Sequence, residues 1–374
     1  MLKRFFQLES LVEPGQVLVI YGPRRVGKTT LLQEFLSFTS LRYKRDSGDN
    51  IRVQHILSSQ DFPTILEYVE GYQLLAIDEA QTIPHVGKGL KIIVDERPDM
   101  MVIATGSSSF DLANTIGEPL TGRKRTITLY PFAQMELLNI YNRHELRERL
   151  PEFLVYGSYP QVVTAQTHEK KIIILQELVD SYILKDILQM EKVKGSKILL
   201  NLLKLLAFQV GQEVSYHELA TQLGINVKTV QRYIDLFEKT FLITHLSGFS
   251  RNLRKEITKK NKYYFLDNGI RNAIIAQFNS LENRNDVGAL WENFVVMERM
   301  KKRSYHTLIA NAYFWRTYSG QEIDLIEERG GQLYAYECKW AHNKNIRPPK
   351  EWSQTYKHTS FEVITPQNYL DFIT

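Results

Sequence analysis

The sequence predicts an α/β fold: a parallel β-sheet with helices on its faces, followed by helical, helix–turn–helix and mixed α/β blocks. Three observations carry this. The short apolar runs Val17–Tyr21, Leu74–Ile77 and Met101–Ala104 alternate with helical stretches over residues 1–145. Each run is too short for a helix and rich in branched residues, and strands alternating with helices build a parallel sheet. Residues 146–195 read as helical throughout. Residues 196–275 open on an apolar helix, Ile198–Phe208, and pass through a helix–turn–helix pattern into strands. Residues 285–374 carry a helix, then strands, Pro348–Pro349 and a mixed tail. The expected domains are therefore 1–145, 146–195, 196–275 and 285–374. No Gly/Ser linker, repeat or low-complexity segment marks the boundaries.

Composition narrows the class. The chain has 374 residues, 43% hydrophobic and 24% charged, which is ordinary for a soluble globular protein. A chain of this length buries a core without covalent staples. A single cysteine, Cys338, excludes a disulfide framework and a multi-thiolate zinc site, and fits a reducing cytoplasm. No apolar run approaches the ~18 residues of a membrane helix. Lys3 and Arg4 are followed by Glu9 and Glu13, which is not a signal-peptide pattern. Lys plus Arg exceeds Asp plus Glu by 47 to 42, a net charge of +5. That balance permits a nucleic-acid partner without demanding one.

The first strand runs into Gly22-Pro23-Arg24-Arg25-Val26-Gly27-Lys28-Thr29, and the helix-like KTTLLQEFL, with Thr30 in its first turn, follows. The segment matches G-x-x-x-x-G-K-[ST] at every fixed position. Glycines let backbone N–H groups wrap phosphates, and the helix N-terminus adds positive potential. Lys28 is expected to reach the β- and γ-phosphates of ATP, and Thr29 to ligate Mg²⁺. In LLAIDEAQ an apolar strand ends in Asp78-Glu79, at the edge where open α/β sheets bind ligands. Asp78 is expected to hold Mg²⁺ and Glu79 to orient and polarise the attacking water. In MMVIATGSSS a strand ends in Thr105, Ser107 and Ser108. These hydroxyls either sense the γ-phosphate or cap the next helix. Arg123, in LTGRKRTITLYPF, lies in a turn before a strand. It is either a surface arginine or a finger on a neighbouring subunit's nucleotide, an effect worth ~10³-fold or more where it occurs.

GPRRVGKT, LLAIDEAQ, ATGSSS and LTGRKRTITLYPF, in this order, resemble the AAA+ ATPases of bacteria and archaea. The resemblance is closer to the archaeal-type, STAND-related branch, which has a C-terminal domain of uncharacterised function. YGSYPQVV (156–163) and SYILKDIL (181–188) look like that branch's lid motifs. The resemblance spans nearly the whole chain. It implies an ATP-binding AAA+ core with a P-loop parallel sheet, a helical lid, a winged helix and a nuclease-like tail, and it implies no particular substrate.

In the third block, Ser215 and Glu218 form an S-x-x-E capping box. Gly224 supplies a turn, and Asn226 caps a second helix. Val227, Val230, Ile234 and Phe237 share one face of that helix, while Lys228, Gln231 and Arg232 fall mainly on the other. This is the arrangement of a recognition helix. The segment RNLRKEITKKNK, with Arg251, Arg254, Lys255, Lys259, Lys260 and Lys262 against Glu256, stands where a winged helix places its wing. It pairs with DNA phosphates or serves as a solvated or interdomain face.

In the last block Glu292 sits on a helix, Asp324 on a strand, and Glu337 and Lys339 on the returning strand after Arg329-Gly330-Gly331. Side chains two apart on a strand share a face. Two carboxylates and a lysine on one surface would hold Mg²⁺ and a water over a phosphodiester. The D-x(n)-E-x-K pattern resembles the restriction-endonuclease-like superfamily, whose upstream helical acid Glu292 matches. The implied metal set is Glu292, Asp324 and Glu337, with Lys339 placing the water or neutralising charge. An inactive nuclease-like fold is the competing reading. Cys338 points to the opposite face, into the core. With no HExxH and no G-x-S-x-G, zinc protease and serine hydrolase chemistry have no support. The expected function is a cytoplasmic ATPase that couples ATP to DNA binding and metal-dependent cleavage, free of membrane and open to homo-oligomer formation. The alternative is a nucleotide-driven switch or scaffold with an inert tail.

Overall fold

The computed structural model describes residues 2–107, 119–180, 196–250, 260–341 and 346–374. Ser108, SYILKDIL, and Arg251, Arg254, Lys255, Glu256 and Lys259 lie outside them. The chain divides into two compact units. One is Arg4–Pro131 with Lys239–Phe241; the other holds Phe132–Glu238 and Leu242–Thr374.

The first unit contains β1 (Val17–Tyr21), α1 (Lys28–Phe38), β2 (Tyr43–Ser47), α2 (Ile51–Ser58), α3 (Phe62–Tyr68), β3 (Leu74–Asp78), α4 (Val86–Glu96), β4 (Met101–Gly106) and β5 (Lys124–Thr128). The five strands run in the order β2-β3-β4-β1-β5, every neighbouring pair parallel. β1 and β3 are buried along their whole length, because a parallel sheet is covered on both faces. Val17, Val19 and Tyr21 turn to a core shared with Val53, Leu57 and Leu90. Leu18 and Ile20 turn the other way and are also buried. Burying each such side chain stabilises by about 1.5–3 kcal/mol. β2 reads YKRDS and is half exposed, as an edge strand can be. The register sets Tyr21 beside Gly106, Ile77 beside Ala104 and Ser47 beside Asp78. The C-terminal ends of β1, β3 and β4 therefore share one edge.

The second unit begins with helices α5 (Gln134–Leu137), α6 (Arg143–Glu148), α7 (Leu150–Tyr156), α8 (Pro160–Thr164), α9 (His168–Leu178) and α10 (Ser196–Phe208). Then come β6 (Glu213–Val214), α11 (Tyr216–Leu223), α12 (Val227–Lys239), β7 (Ile243–Gly248), β8 (Asn261–Phe265) and α13 (Asn268–Ile274). The chain ends with α14 (Val287–Tyr305), β9 (Asn311–Arg316), β10 (Glu322–Arg329), β11 (Gln332–Cys338), α15 (Lys350–Thr355), β12 (Ser360–Ile364) and α16 (Tyr369–Ile373).

Its strands form one seven-stranded sheet, β12-β11-β10-β9-β7-β8-β6. Gly330 and Gly331, both at positive φ, close the β10–β11 hairpin between the paired residues Arg329 and Gln332, as a two-residue primed turn requires. β7 pairs in parallel with β9, Ser247 to Tyr313 and Gly248 to Phe314. The blocks expected at 196–275 and 285–374 thus share a sheet.

Helix α14 has 19 residues, ~28 Å at 1.5 Å per residue. It buries Trp291, Val295 and Met297 together with polar side chains. Buried polar groups must be paired, and these are. Arg299 grips Glu327 through two bonds of 2.8 and 2.7 Å. Asn293 receives Phe265 N at 2.7 Å and donates to Phe265 O at 2.9 Å.

Candidate functional site

The turn after β1 is built from glycine geometry. Gly22 has φ 144°, and a Cβ there would stand 2.0 Å from the Leu129 carbonyl oxygen. Gly27, φ 96°, is the residue before α1, and a Cβ on it would meet nothing within 4 Å. Val26 is fully buried and anchors the loop, while Arg24, Arg25 and Thr30 are exposed. Lys28 is buried, and its ammonium donates to the carbonyl oxygens of Gly22 (2.9 Å) and Pro23 (2.8 Å). The cation is thereby held over the loop at the helix N-terminus.

Beside it, β3 delivers Asp78. Its Oδ2 accepts from Thr29 Oγ1 at 2.8 Å, and its Oδ1 accepts from Thr105 Oγ1 on β4. Thr105 Oγ1 in turn accepts from the Glu79 backbone N–H at 3.2 Å. Glu79 has φ 51°, a left-handed conformation that costs a non-glycine residue about 1–3 kcal/mol and collects at functional sites. Gly48 makes room for it: a Cβ there would lie 2.3 Å from Glu79 O, and Gly48 N donates to Asp78 O at 2.7 Å. Gln81, which the motif reading quoted without assigning, donates through Nε2 to Glu79 Oε2 and to Ser107 Oγ, the latter at 3.2 Å. Its only sequence signal was its place two residues after the acid pair.

These residues fit a triphosphate with magnesium. Gly27 leaves the approach open, Lys28 supplies a cation, and the Thr29–Asp78 oxygens are the hard donors magnesium takes. Arg123 is not brought to this edge. It precedes β5, beside Val17 at the start of β1 (Val17 N to Arg123 O, 2.9 Å), and its guanidinium pairs with Asp95. The β1 strand, ~16 Å long at 3.3 Å per residue, separates that end from the phosphate loop.

The second predicted site is arranged differently from the expectation. Asp324 Oδ2 accepts from Cys338 N at 2.8 Å. Glu337 pairs with Lys339 at 2.6 Å. Glu292 accepts from Tyr264 OH at 2.7 Å and from Lys262 Nζ at 3.2 Å. Lys262 also pairs with Glu322, and stands 4.0 Å from Asp324. Among the described residues, no three His, Cys, Asp or Glu side chains stand together as a metal-holding group. A lysine ammonium thus stands among Glu292, Glu322 and Asp324, where the sequence expectation placed Mg²⁺ on Glu292, Asp324 and Glu337. Lys262 is 1% exposed, so it is not the solvent-facing phosphate contact that the basic run suggested. Lys260 is exposed.

The electrostatics follow from burial. Burial, then the charge of Asp324, pushes the Glu292 carboxyl up to about 8. Burial also raises Asp324 against the pull of Lys262, and raises Glu337 with help from Asp324. Burial alone would weaken the Lys262 ammonium, but Glu292, Asp324 and Glu322 outweigh it and hold its pKa above the usual lysine value. Cys338 is buried and its thiol pushed well up by burial, which suits packing rather than chemistry.

In the helix–turn–helix segment, Ser215 Oγ accepts from Glu218 N at 3.4 Å, Gly224 is left-handed at φ 66°, and Asn226 Oδ1 accepts from Lys228 N at 2.8 Å. On α12, Val230, Ile234 and Phe237 are buried, and Lys228, Gln231 and Arg232 are exposed. Among the described residues no helix is long and apolar enough to cross a membrane.

Three family models match along the chain. Residues 14–138 match the AAA domain family. Residues 147–281 match a domain of unknown function (DUF8612), and residues 287–368 another (DUF4143). The chain is 26% identical over 344 residues to an uncharacterized protein of Mycobacterium tuberculosis, covering 91% of this chain and 74% of that one. It is 27% identical over 349 residues to an uncharacterized protein of Haemophilus influenzae, covering 87% and 83%. A solved structure of the replication initiator DnaA, bound to AMPPCP and single-stranded DNA, aligns with a TM-score of 0.29 at 16% identity. It covers 60% of this chain and 83% of that one. The first unit is thus an α/β domain on a parallel sheet with a phosphate-loop motif, and its residues are similar to the AAA domain family.

Proposed function

We propose that the chain is an ATPase that holds Mg-ATP on Gly22–Thr30 and Asp78, hydrolyses it through Glu79, and couples nucleotide state to DNA binding. The observation that supports this is the hydrogen-bonded series Thr29–Asp78–Thr105–Glu79 beside the loop-held Lys28. Lys28 neutralises the terminal phosphates. The N-terminus of α1 favours their charge. Thr29 and Asp78 hold magnesium, which when bound draws charge from the transferring phosphoryl group. Glu79 accepts a proton from the attacking water, and its fixed backbone aims the carboxylate without reorganisation.

DNA binding rests on α12. Lys228, Gln231 and Arg232 are exposed on the face opposite its buried stripe, the arrangement that enters a groove. The metal-dependent cleavage expected of the tail is not part of this function. Lys262 occupies the centre of its carboxylates, which favours an inert tail, as in the switch or scaffold reading. Hydrolysis rates with and without duplex DNA test the proposal. Stimulation by DNA in the wild type, lost in a Lys228→Ala/Arg232→Ala double variant, is expected. Equal rates in all four arms would leave the scaffold reading in place.

A further inference from the structure

We infer that Gln81 is the positioning residue for Glu79, tying the candidate base to the end of β4 through Ser107. The inference rests on the ATPase reading and extends it to a residue outside the phosphate-loop and acid-pair motifs. Glu79 opens a one-turn 3-10 helix, Ala80–Thr82, that places Gln81 back over it. The same amide nitrogen then meets the Glu79 carboxylate and the Ser107 hydroxyl.

The orientation of this amide is fixed by chemistry. An ionised carboxylate only accepts hydrogen bonds, so the NH₂ end must face Glu79. That leaves the carbonyl end, Gln81 Oε1, buried and without a partner among the described residues. A side chain serving only to brace the turn would gain nothing from such an orphan, and buried polar groups are seldom left unpaired. The orphan is useful beside a base. During hydrolysis the water oxygen bonds to the terminal phosphorus as the bond to the bridging oxygen breaks, and the water's proton passes to Glu79. The neutral carboxyl then carries an O–H. Rotation of the Gln81 amide offers Oε1 to that O–H, so one side chain serves both protonation states. The proton returns to the phosphate product, and the amide turns back.

Ser107 gives the device its input. Thr105, two residues earlier, holds Asp78 and the Glu79 backbone. Ser107 holds the Glu79 side chain through Gln81. The end of β4 therefore holds both acids by separate tethers.

The test compares wild type, Gln81→Ala, Gln81→Glu, Ser107→Ala and Glu79→Gln in the full chain, by ATP affinity, kcat and pH–rate profile. Gln81→Ala is expected to lower kcat by roughly 10- to 100-fold, the usual cost of losing an orienting partner, with ATP affinity unchanged within twofold. Ser107→Ala is expected to lower kcat in the same direction by less. Gln81→Glu sets a second carboxylate beside the base, so its acid limb should move to higher pH. A purely structural role would lower affinity and kcat together and leave the limb in place, which overturns the inference. If Glu79→Gln is inactive while Gln81→Ala keeps wild-type kcat, the positioning role alone fails. If Glu79→Gln hydrolyses ATP at the wild-type rate, the ATPase reading itself fails.

Discussion

Asp78 takes one hydroxyl on each oxygen, from Thr29 and Thr105, so its orientation is set from both sides. Removing the Glu79 carboxylate as Glu79→Gln should cut hydrolysis by ~10²–10⁴-fold, the usual weight of a general base, and leave nucleotide binding intact. Phosphate release and equilibrium binding, measured together, check this. The Lys262 cluster makes a different prediction. With Glu292 pushed up to about 8 from an ordinary ~4.3, the folded chain keeps a proton that the unfolded chain loses between those values. The resulting stability is complete below ~4.3 and is lost as pH rises towards 8. Glu292→Gln keeps an acceptor for Tyr264 and Lys262 and cannot titrate, so its melting temperature should fall less steeply than wild type from pH 5 to 8. Parallel curves would contradict it. Lys28, Thr29, Asp78 and Glu79 were legible because their spacing encodes them. The burial of Lys262 was not: a lysine in a basic run reads as solvated, and a fully buried lysine is rare.

At the scale of elements, the three apolar strands could be read because they are buried on both faces and so lack polar residues. β2 could not. Its YKRDS sequence is half exposed at the sheet edge, and its strand state comes from pairing with β3, which no local pattern reports. The 3-10 turn carrying Gln81 was hidden for a similar reason, since the left-handed Glu79 that opens it is permitted only by the missing side chain at Gly48. Gly48→Ala should therefore displace the Glu79 turn. The expected result is a tenfold or greater fall in kcat, ~1.4 kcal/mol or more of barrier, with ATP affinity changed less. A kcat equal to wild type would show that the turn tolerates the methyl group. In α14, Trp291 is fully buried and edge-on to Tyr369, ring centroids 5.7 Å apart. Trp291→Ala should cost about 3–5 kcal/mol, read from denaturant midpoints.

At the scale of the molecule, the seven-stranded sheet joins strands from two sequence blocks through the β7–β9 pairing. That contact spans more than sixty residues of chain, and periodicity is silent about such partners. Composition and motif order anticipated the α/β class and the phosphate loop, and they could not say that the tail's strands extend the sheet of the preceding block. If α12 meets DNA, affinity should fall steeply with salt, by ~0.9 in log–log slope for each phosphate neutralised, and a Lys228→Ala/Arg232→Ala variant should lose about two units of slope. A slope unchanged by the double substitution would remove α12 from the interface.

The most direct measurement is calorimetric titration of Mg-ATP into wild type and Lys28→Ala. One binding site is predicted in the wild type. Affinity in the variant should fall by ~30-fold or more, since truncating one partner of a buried charge pair costs about 2–5 kcal/mol. Binding of equal strength in both proteins, or no heat in the wild type, would contradict the account.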